Sequence, residues 1–432
     1  MKALTKISNG FLALVAVALC FTSCSSEDVA SGTNQGKMSS LTLSINTGKS
    51  MGSRATNWTK DDPGADKVNT ENKINRVAIG IFSTEGKVKT IVELTPGETS
   101  TPGTNSLTQT DANKATANIV TSSLVANDKV LVAINAPSGR FAGCKDKAAF
   151  MAKTESAAEA LANYDKTSLP TPTTQVEKNI PMFGSASLSA VSGSSSSFTA
   201  NVDVIHMIAK VSLAELKVDF KAVGAYADAE FTPKAVFLIN VPNSLQFDNN
   251  NAWPSSSVGY EHGWGAFDTN NTYVATKAND DAAAKFDGST FKEYLTTPEL
   301  TGKTLKVVAD ATGATGPTYD KQVYFYTMPN GQVGDKATKL VIAGQFKASG
   351  VDKVVYYPLF LNAKVNSTGT DYGPAGSESE AKKVYPNKNY KCTVVIRNIG
   401  ADSPDINLDP KAASISITVK DFEEVDQTTE FN

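Results

Sequence analysis

Apolar and polar residues alternate along much of the chain beyond residue 36, which is the period of a β-strand with one buried face. In the segment SLTLSI, Leu41, Leu43 and Ile45 fall on one face, and Thr42 and Ser44 fall on the other. Other segments are rich in β-branched and aromatic residues and are bounded by Gly, Pro, Asn, Asp and Ser. They are residues 74–82, 129–137, 200–213, 234–242, 322–329, 339–346, 353–362, 390–398 and 414–419. The pattern predicts an all-β chain of two successive antiparallel β-sandwiches.

One segment favours a helix. Residues 146–164 are rich in alanine and place Phe150, Met151 and Leu161 loosely at helical spacing. Polar stretches rich in Gly, Asn, Ser and Thr predict long surface loops. These stretches are residues 62–73, 95–117, 247–272 and 364–382.

The boundary between the two sandwiches is predicted near residue 212. The strand at 200–213 closes one set of elements, and a second set begins directly after it. A chain of 432 residues is long enough for two or three domains. The net charge of −3 provides no basic surface for phosphates, so the composition predicts no nucleic-acid partner.

The first 24 residues have the features of a secretory signal. Lys2 and Lys6 precede an apolar run over residues 11–21, which is too short to span a bilayer. The run ends in FTSC, which resembles a bacterial lipobox and makes Cys24 the expected site of lipidation, with Cys20 as the second choice. The SSED that follows resembles the surface-export signal of Bacteroidetes lipoproteins.

Chemistry that depends on cysteine or histidine has little support in the sequence. Cys144 and Cys392 could form one disulfide, but two separate thiols are the favoured interpretation, and no CxxC pair is present for zinc. Of the two histidines, His206 lies within a strand and fits a core position, whereas His262 lies in a Gly/Trp loop, where the sequence does not support a surface or ligand-contact role. We therefore expect no catalytic residue, no bound metal and no cofactor.

Several segments, in this order, resemble the FimA-like fimbrillins, the major subunits of the type V pili of Bacteroidetes. They are FTSC, VLVAINAP, IPMFG, IHMIAKVSL, YFYTMPN and VYPNKNYKCTVVIRNIG, followed by ISITVKDFEEVDQTTEFN. The resemblance covers nearly the whole chain. It implies two tandem transthyretin-like antiparallel β-sandwich domains with one or more short helices, and assembly by strand exchange outside the cell.

The resemblance also implies a maturation step, in which an arginine-specific surface protease cuts the loop after the first strand. Of the four arginines, Arg54 lies in such a loop, flanked by small residues, and the bond to Ala55 is the expected cut. Arg76 and Arg397 lie in or beside predicted strands, and Arg140, in the turn PSGRFAG, is the main competitor. The predicted order is a signal at 1–24, a propeptide at 25–54, and domains at 55–212 and 213–432.

Loss of the first strand would open an apolar groove in the sandwich and expose a row of unpaired backbone groups beside it. Leu41, Leu43 and Ile45 would fill the groove in the precursor, and the tail at about 420–432 of another copy would replace them. The tail has Val425 and Phe431 on one face and Phe422 on the other. A frayed chain end is the alternative interpretation of this tail.

The sequence therefore predicts a non-enzymatic shaft subunit of a cell-surface fimbria. Its expected partners are further copies of itself in a head-to-tail polymer, the arginine-specific protease, anchor and tip subunits, and the outer membrane through lipid on the precursor. The alternative is a monomeric surface lipoprotein that binds carbohydrate on Trp253, Tyr260 and Trp264.

Overall fold

The computed structural model of the chain describes fifteen segments, all within one compact unit, Met38–Asn432. They are residues 38–47, 71–97, 103–111, 113–162, 179–220, 226, 228–248, 259–263, 266–267, 273–274, 305–306, 323–365, 371–372, 382–408 and 413–421.

Strands dominate the described residues. In chain order they are β1 (Met38–Asn46), β2 (Val77–Phe82), β3 (Val88–Leu94), β4 (Ser106–Asp111), β5 (Lys114–Ser122), β6 (Lys129–Ile134), β7 (Thr154–Ser156), β8 (Met182–Ser187), β9 (Ser189–Ala190), β10 (Ser197–His206), β11 (Ala209–Val218), β12 (Glu230–Ile239), β13 (Val241–Pro242), β14 (Ser244–Gln246), β15 (Tyr260–Glu261), β16 (Ala266–Phe267), β17 (Tyr273–Val274), β18 (Leu305–Lys306), β19 (Val323–Thr327), β20 (Lys339–Ala348), β21 (Val351–Phe360), β22 (Lys364–Val365), β23 (Asp371–Tyr372), β24 (Lys388–Ile396) and β25 (Ala413–Asp421). The helical elements are α1 (Lys147–Met151) and a π-helical turn (Ala158–Ala162). In the described segments, no helix has the length and apolar character needed to cross a membrane.

The largest sheet contains nine strands, all from residues 38–206. Its order is β3-β2-β6-β8-β10-β1-β5-β4, and β9 also pairs with β10. The sheet changes partners along β10, because residues 197–203 pair with β1 and the residues from Val204 pair with β8. Gly184 lies opposite Val204, and a Cβ at this glycine would collide with the carbonyl oxygen of Asp203. The close approach of β8 and β10 at this point therefore depends on glycine.

Side chains from both parts of this sheet meet in one apolar core, which makes the nine strands a sandwich. The core joins the inward residues of β1, β5 and β10 to those of β2 and β6. The other face of β2 and β6 is also covered, by a second cluster that includes Phe141 and Phe150, stacked 4.0 Å apart between ring centroids. Strand β2 is consequently buried at every residue, as expected for a strand with packing on both faces.

The two larger sheets among residues 209–421 have six and four strands. A six-stranded sheet has the order β19-β11-β24-β25-β22-β23, and a four-stranded sheet has the order β18-β12-β20-β21. Most of the buried apolar residues of β11, β12, β20 and β24 belong to one cluster. The short pairing of β7 with β14 connects the chain before residue 206 to the chain after residue 209.

The predicted strand at 200–213 is wrong as a single element. Strand β10 ends at His206, and β11 begins at Ala209 in a different sheet. Met207 and Ile208 lie between the two strands and are both fully buried. The residues between the two strands are as hydrophobic as the strands themselves, so the sequence pattern does not indicate where β10 ends.

The long helix predicted at 146–164 is also wrong. The helix begins after Asp146, whose side chain accepts a hydrogen bond from the Ala149 amide, and it ends at Met151. Residues 154–156 then pair as β7 with β14. Pairing with a distant segment therefore overrides the helix propensity of the alanine-rich sequence.

The loop predicted at 95–117 contains all of β4 and the start of β5. Both strands are polar on their outer faces, and their inward side chains include the small Ala115 and Ala117, so the alternation is weak. Strands β3, β5 and β8 have no counterpart among the predicted strands. The all-β, sandwich-type fold itself is confirmed, and the domain limits at 55–212 and 213–432 stay a prediction.

Candidate functional site: the groove filled by the first strand

Strand β1 has the burial pattern that its sequence predicts. Leu41, Leu43 and Ile45 are 1%, 0% and 0% exposed, and the residues between them face outward. Alternation alone accounts for this arrangement, because successive side chains of a strand point to opposite faces. The three predicted residues are thus placed together in the core of the first sandwich.

Both edges of β1 are paired. Strand β10 runs parallel to it on one side, and β5 runs antiparallel on the other. Leu43, at the centre, lies between Ala200 and Ala117. The residues beside the three inward positions are Phe198, Ala200 and Val202 on β10 and Ile119, Ala117 and Ala115 on β5. We call the space that β1 fills between β5 and β10 the groove.

The burial of β1 is large compared with the stability of a typical domain. Three buried aliphatic side chains contribute about 5 to 9 kcal/mol by hydrophobic transfer. Domains as a whole are stable by only about 5 to 15 kcal/mol. An empty groove would also leave the inner edges of β5 and β10 without their ladder partners. The sandwich therefore needs a strand in this position.

The outer face of β1 makes weaker polar contacts. The Thr42 hydroxyl lies 3.3 Å from Asn118 Oδ1, and the Asn46 amide donates to Asp203 Oδ1 at 3.0 Å. Both contacts are exposed to solvent, where hydrogen bonds contribute little net stability. The inward face thus determines which strands the groove can hold.

The two ends of the chain segment that follows β1 meet at one point. Thr47 donates its backbone N–H to Asn113 O at 2.9 Å, and its hydroxyl to Asn72 O at 3.3 Å. Residues 48–70 connect these two ends. Arg54 and Ala55, the predicted cut, lie outside the described residues.

The other three arginines are all described, and each lies in an ion pair. The pairs are Arg76–Glu93 at 3.2 Å, Arg140–Glu159 at 2.5 Å and Arg397–Asp219 at 3.3 Å. An arginine-specific protease needs the guanidinium in its own pocket, so a carboxylate partner competes with it. Arg140, the main competitor of Arg54, also lies in a turn closed by its own backbone N–H to Pro137 O.

The last described strand, β25, is part of the body. It pairs with β24 along its whole length and with β22 at Val365 and Ile415. The alternating residues Ile415 and Val419 therefore belong to the second set of sheets. The predicted donor residues Phe422, Val425 and Phe431 follow directly and lie outside the described residues, as does Cys24.

The two cysteines of the body are separate, buried thiols, as the favoured interpretation predicts. Burial raises the pKa of the Cys144 thiol and raises that of Cys392 to about 12, which keeps both protonated at neutral pH. Both histidines also have packing roles. His206 is fully buried, and His262 accepts the backbone N–H of Asn240 through Nδ1 at 3.2 Å.

Of the three residues of the alternative carbohydrate platform, the structure describes Tyr260. Tyr260 is half-buried, and Lys336 Nζ lies over its ring at 5.6 Å from the centroid. Trp253 and Trp264 lie outside the described residues. Within the described segments, no three side chains of His, Cys, Asp or Glu come close enough together to hold a metal ion.

A buried polar cluster at the end of β10 was missed by the sequence analysis. It joins Glu71 to His206, Lys210 and Tyr326, and we call these four residues the junction cluster. One signal in the sequence could have indicated it, namely the single lysine in the apolar segment MIAKVSL. The partner could not be found in the same way, because Glu71 is 139 residues away from Lys210.

Comparisons with solved structures identify the fold. A presumed cell adhesion protein from Bacteroides eggerthii matches with a TM-score of 0.54 and 18% identity, over 92% of this chain and 100% of its own. A presumed cell adhesion protein from Parabacteroides distasonis matches with a TM-score of 0.52 and 16% identity, over 89% and 100%. A fimbrilin, FimA, from Porphyromonas gingivalis matches with a TM-score of 0.51 and 16% identity, over 90% and 99%.

No protein-family model matches the chain, and no curated protein matches its sequence. The likeness is therefore one of fold, and at this level the resemblance to FimA-like fimbrillins is confirmed.

Proposed function

From the fold that the chain shares with a FimA fimbrilin and with cell adhesion proteins, we propose that it is a structural shaft subunit of a cell-surface fimbria. The observation that carries the proposal is the position of β1, an N-terminal strand inside a sheet with both edges paired. The subunit performs no catalysis and contributes to adhesion or biofilm formation.

The precursor is exported as a lipoprotein, with lipid on Cys24 holding it to the outer membrane. An arginine-specific surface protease then cuts between Arg54 and Ala55. The ion pairs of Arg76, Arg140 and Arg397 count against a cut at those positions, because a carboxylate partner competes with the protease for each guanidinium. The cut breaks the covalent link between the body and the segment that carries β1 and the lipid.

While β1 is covalently attached, its effective concentration at the groove is high, and a strand from another copy cannot compete. After the cut, β1 can dissociate, and the tail beyond β25 of another copy takes its place. The face that carries Val425 and Phe431 suits the apolar groove better than the opposite face. Beyond residue 421 the first of these faces has one carboxylate, Glu423, whereas the opposite face has Glu424, Asp426 and Glu430.

Donor tail and groove are different surfaces, so repetition of the contact builds an open head-to-tail polymer. A subunit with both a removable first strand and a donor tail fits the shaft. Separate anchor and tip subunits complete the fimbria at its two ends.

The proposal is tested by treating purified precursor with an arginine-specific protease and following its size by chromatography and gel electrophoresis. We expect multimer ladders whose subunits begin at Ala55. Arg54→Ala should stay monomeric, and the matched control Arg140→Ala should assemble as the wild type does. Assembly of Arg54→Ala to the same extent would contradict the proposal, as would a cut chain that remains monomeric.

A further inference from the structure

Glu71 is the first described residue after the segment that carries Arg54, and it is held in the interior. Its side chain is 1% exposed and that of Lys210 is 0% exposed, with Lys210 Nζ 2.7 Å from Glu71 Oε1. The Tyr326 hydroxyl donates to the same oxygen. Breaking a buried ion pair is costly because it leaves an uncompensated charge in the interior, whereas a surface ion pair contributes little, so Glu71 is harder to displace than a surface carboxylate.

The partners of Glu71 come from both parts of the body. Lys210 and Tyr326 are cross-strand neighbours on β11 and β19, in the six-stranded sheet. His206 ends β10 of the first sandwich, and its Nε2 lies 3.3 Å from the carbonyl oxygen of Glu71. Residue 71 is therefore fixed through its side chain and its backbone, at the point where the chain passes from β10 to β11.

The neighbouring residue, Asn72, contacts the end of the groove. Its carbonyl oxygen accepts the Thr47 hydroxyl, so in the uncut chain residues 71 and 72 are held from two sides. Loss of β1 removes the contact from Thr47 to Asn72, and the contacts of the junction cluster to Glu71 remain. Further along the chain, the Asn135 side chain binds Lys73 O and the backbone N–H of Asn75. The segment that the junction cluster alone would hold after loss of β1 is therefore short and ends before residue 73.

We propose that the junction cluster is a retaining clamp, in which Lys210 and Tyr326 position Glu71 so that strand exchange remains confined to β1. This inference rests on the proposed function, because it assigns the cluster a role in the step that follows the cut. Lys210 and Tyr326 are positioning residues that act through Glu71 on the chain end left by the protease.

The test compares hydrogen exchange at residues 71–77 before and after the cut in the wild type, in Lys210→Met and in Tyr326→Phe. In the wild type the cut should change these rates little once the tail of another copy has replaced β1 in the groove. In both variants the cut should raise the exchange rates of residues 71–77 on the order of tenfold. Loss of the Thr47 contact then acts on a segment that is already weakened at Glu71, and neighbouring contacts that share a segment are energetically coupled. The Tyr326→Phe variant loses one hydroxyl group and keeps the ion pair, so it serves if Lys210→Met does not fold.

Two buried residues away from the cut provide matched controls. Lys339 Nζ binds Asp405 O and Asn407 Oδ1, each at 3.0 Å, and the Tyr357 hydroxyl donates to Asn398 O at 2.8 Å. Lys339→Met and Tyr357→Phe should leave the effect of the cut at residues 71–77 as in the wild type. The clamp is contradicted if the cut raises exchange equally in wild type and variants, or if the variants exchange equally fast before and after it.

The two proposals fail in different ways. If the arginine-specific protease does not cut at Arg54, the proposed function fails. The clamp is then still tested by placing the recognition sequence of another protease at residues 52–55 and cutting there.

Discussion

The groove and the junction cluster lie at the two ends of the same contact, Thr47 with Asn72, and they are built from opposite chemistry. The groove holds β1 through aliphatic side chains, with alanines beside Leu43. The junction cluster holds Glu71 through an ion pair and a tyrosine hydroxyl. Apolar burial is non-directional and accepts any strand with a suitable pattern. A buried charge needs its particular partners. Under the proposed strand exchange, the contact that is exchanged is apolar and the contact that is retained is polar.

The largest expected effect comes from emptying the groove. A body of residues 55–421, lacking both β1 and the tail, should lose on the order of 5 to 9 kcal/mol of unfolding free energy and be at best marginally folded. A synthetic peptide of residues 38–47 should restore a cooperative thermal transition, followed by circular dichroism. The same peptide with Leu43→Asp is the control and should restore nothing. A body that is equally stable without any peptide would show that the groove does not need a strand.

The second prediction concerns how strictly the groove selects the side chain at residue 43. In the precursor, Leu43→Ala should cost about 2 to 5 kcal/mol, because a cavity forms between two alanines that cannot fill it. Leu43→Met conserves volume and should cost less than about 1.5 kcal/mol. Urea unfolding measures both, with the outward Thr42→Ala as a control near zero. Equal costs for alanine and methionine would mean that the groove demands leucine specifically.

Much of this arrangement follows from the sequence, and the missing parts have physical causes. The alternation of Leu41, Leu43 and Ile45 predicts the buried face of β1 correctly. Strand β5, which forms one side of the groove, was not predicted. Its inward residues Ala115 and Ala117 bury little surface, so the sequence of β5 resembles a polar loop. Small side chains leave room for an inserted strand, and the same property weakens the hydrophobic signal.

The polar contacts could not be predicted, because they join residues that are distant in sequence. Glu71 precedes its partner Lys210 by 139 residues, and Glu155 on β7 precedes its partner Leu245 on β14 by 90 residues. The alanine-rich sequence around β7 favours a helix, and only pairing in the folded chain shows otherwise. Long-range polar pairing thus marks the limit of reasoning from local pattern.

The last prediction tests whether the β7–β14 pairing between the two parts of the body is sensitive to pH. Glu155, on β7, is buried and pairs in register with Leu245. Burial, and to a smaller extent repulsion by Glu159, raises the pKa of Glu155 from 4.5 to about 8, although Arg140 opposes the shift. The folded chain therefore retains a proton that the unfolded chain releases near pH 4.5. This contribution to stability is complete below pH 4.5 and is lost as the pH rises to about 8.

Glu155→Gln cannot ionise, so its stability relative to the wild type should increase between pH 5 and about 8 and then stay constant. Urea unfolding at pH 5, 6.5 and 8.5 measures the increase, and one pKa unit corresponds to about 1.4 kcal/mol. The fully exposed Glu85→Gln is the control and should show no such increase. A difference between Glu155→Gln and the wild type that does not change with pH would refute the prediction. An increase with pH would show that the β7–β14 contact responds to pH. The residues of β5 and β10 beside the three inward positions of β1 carry no ionisable side chain.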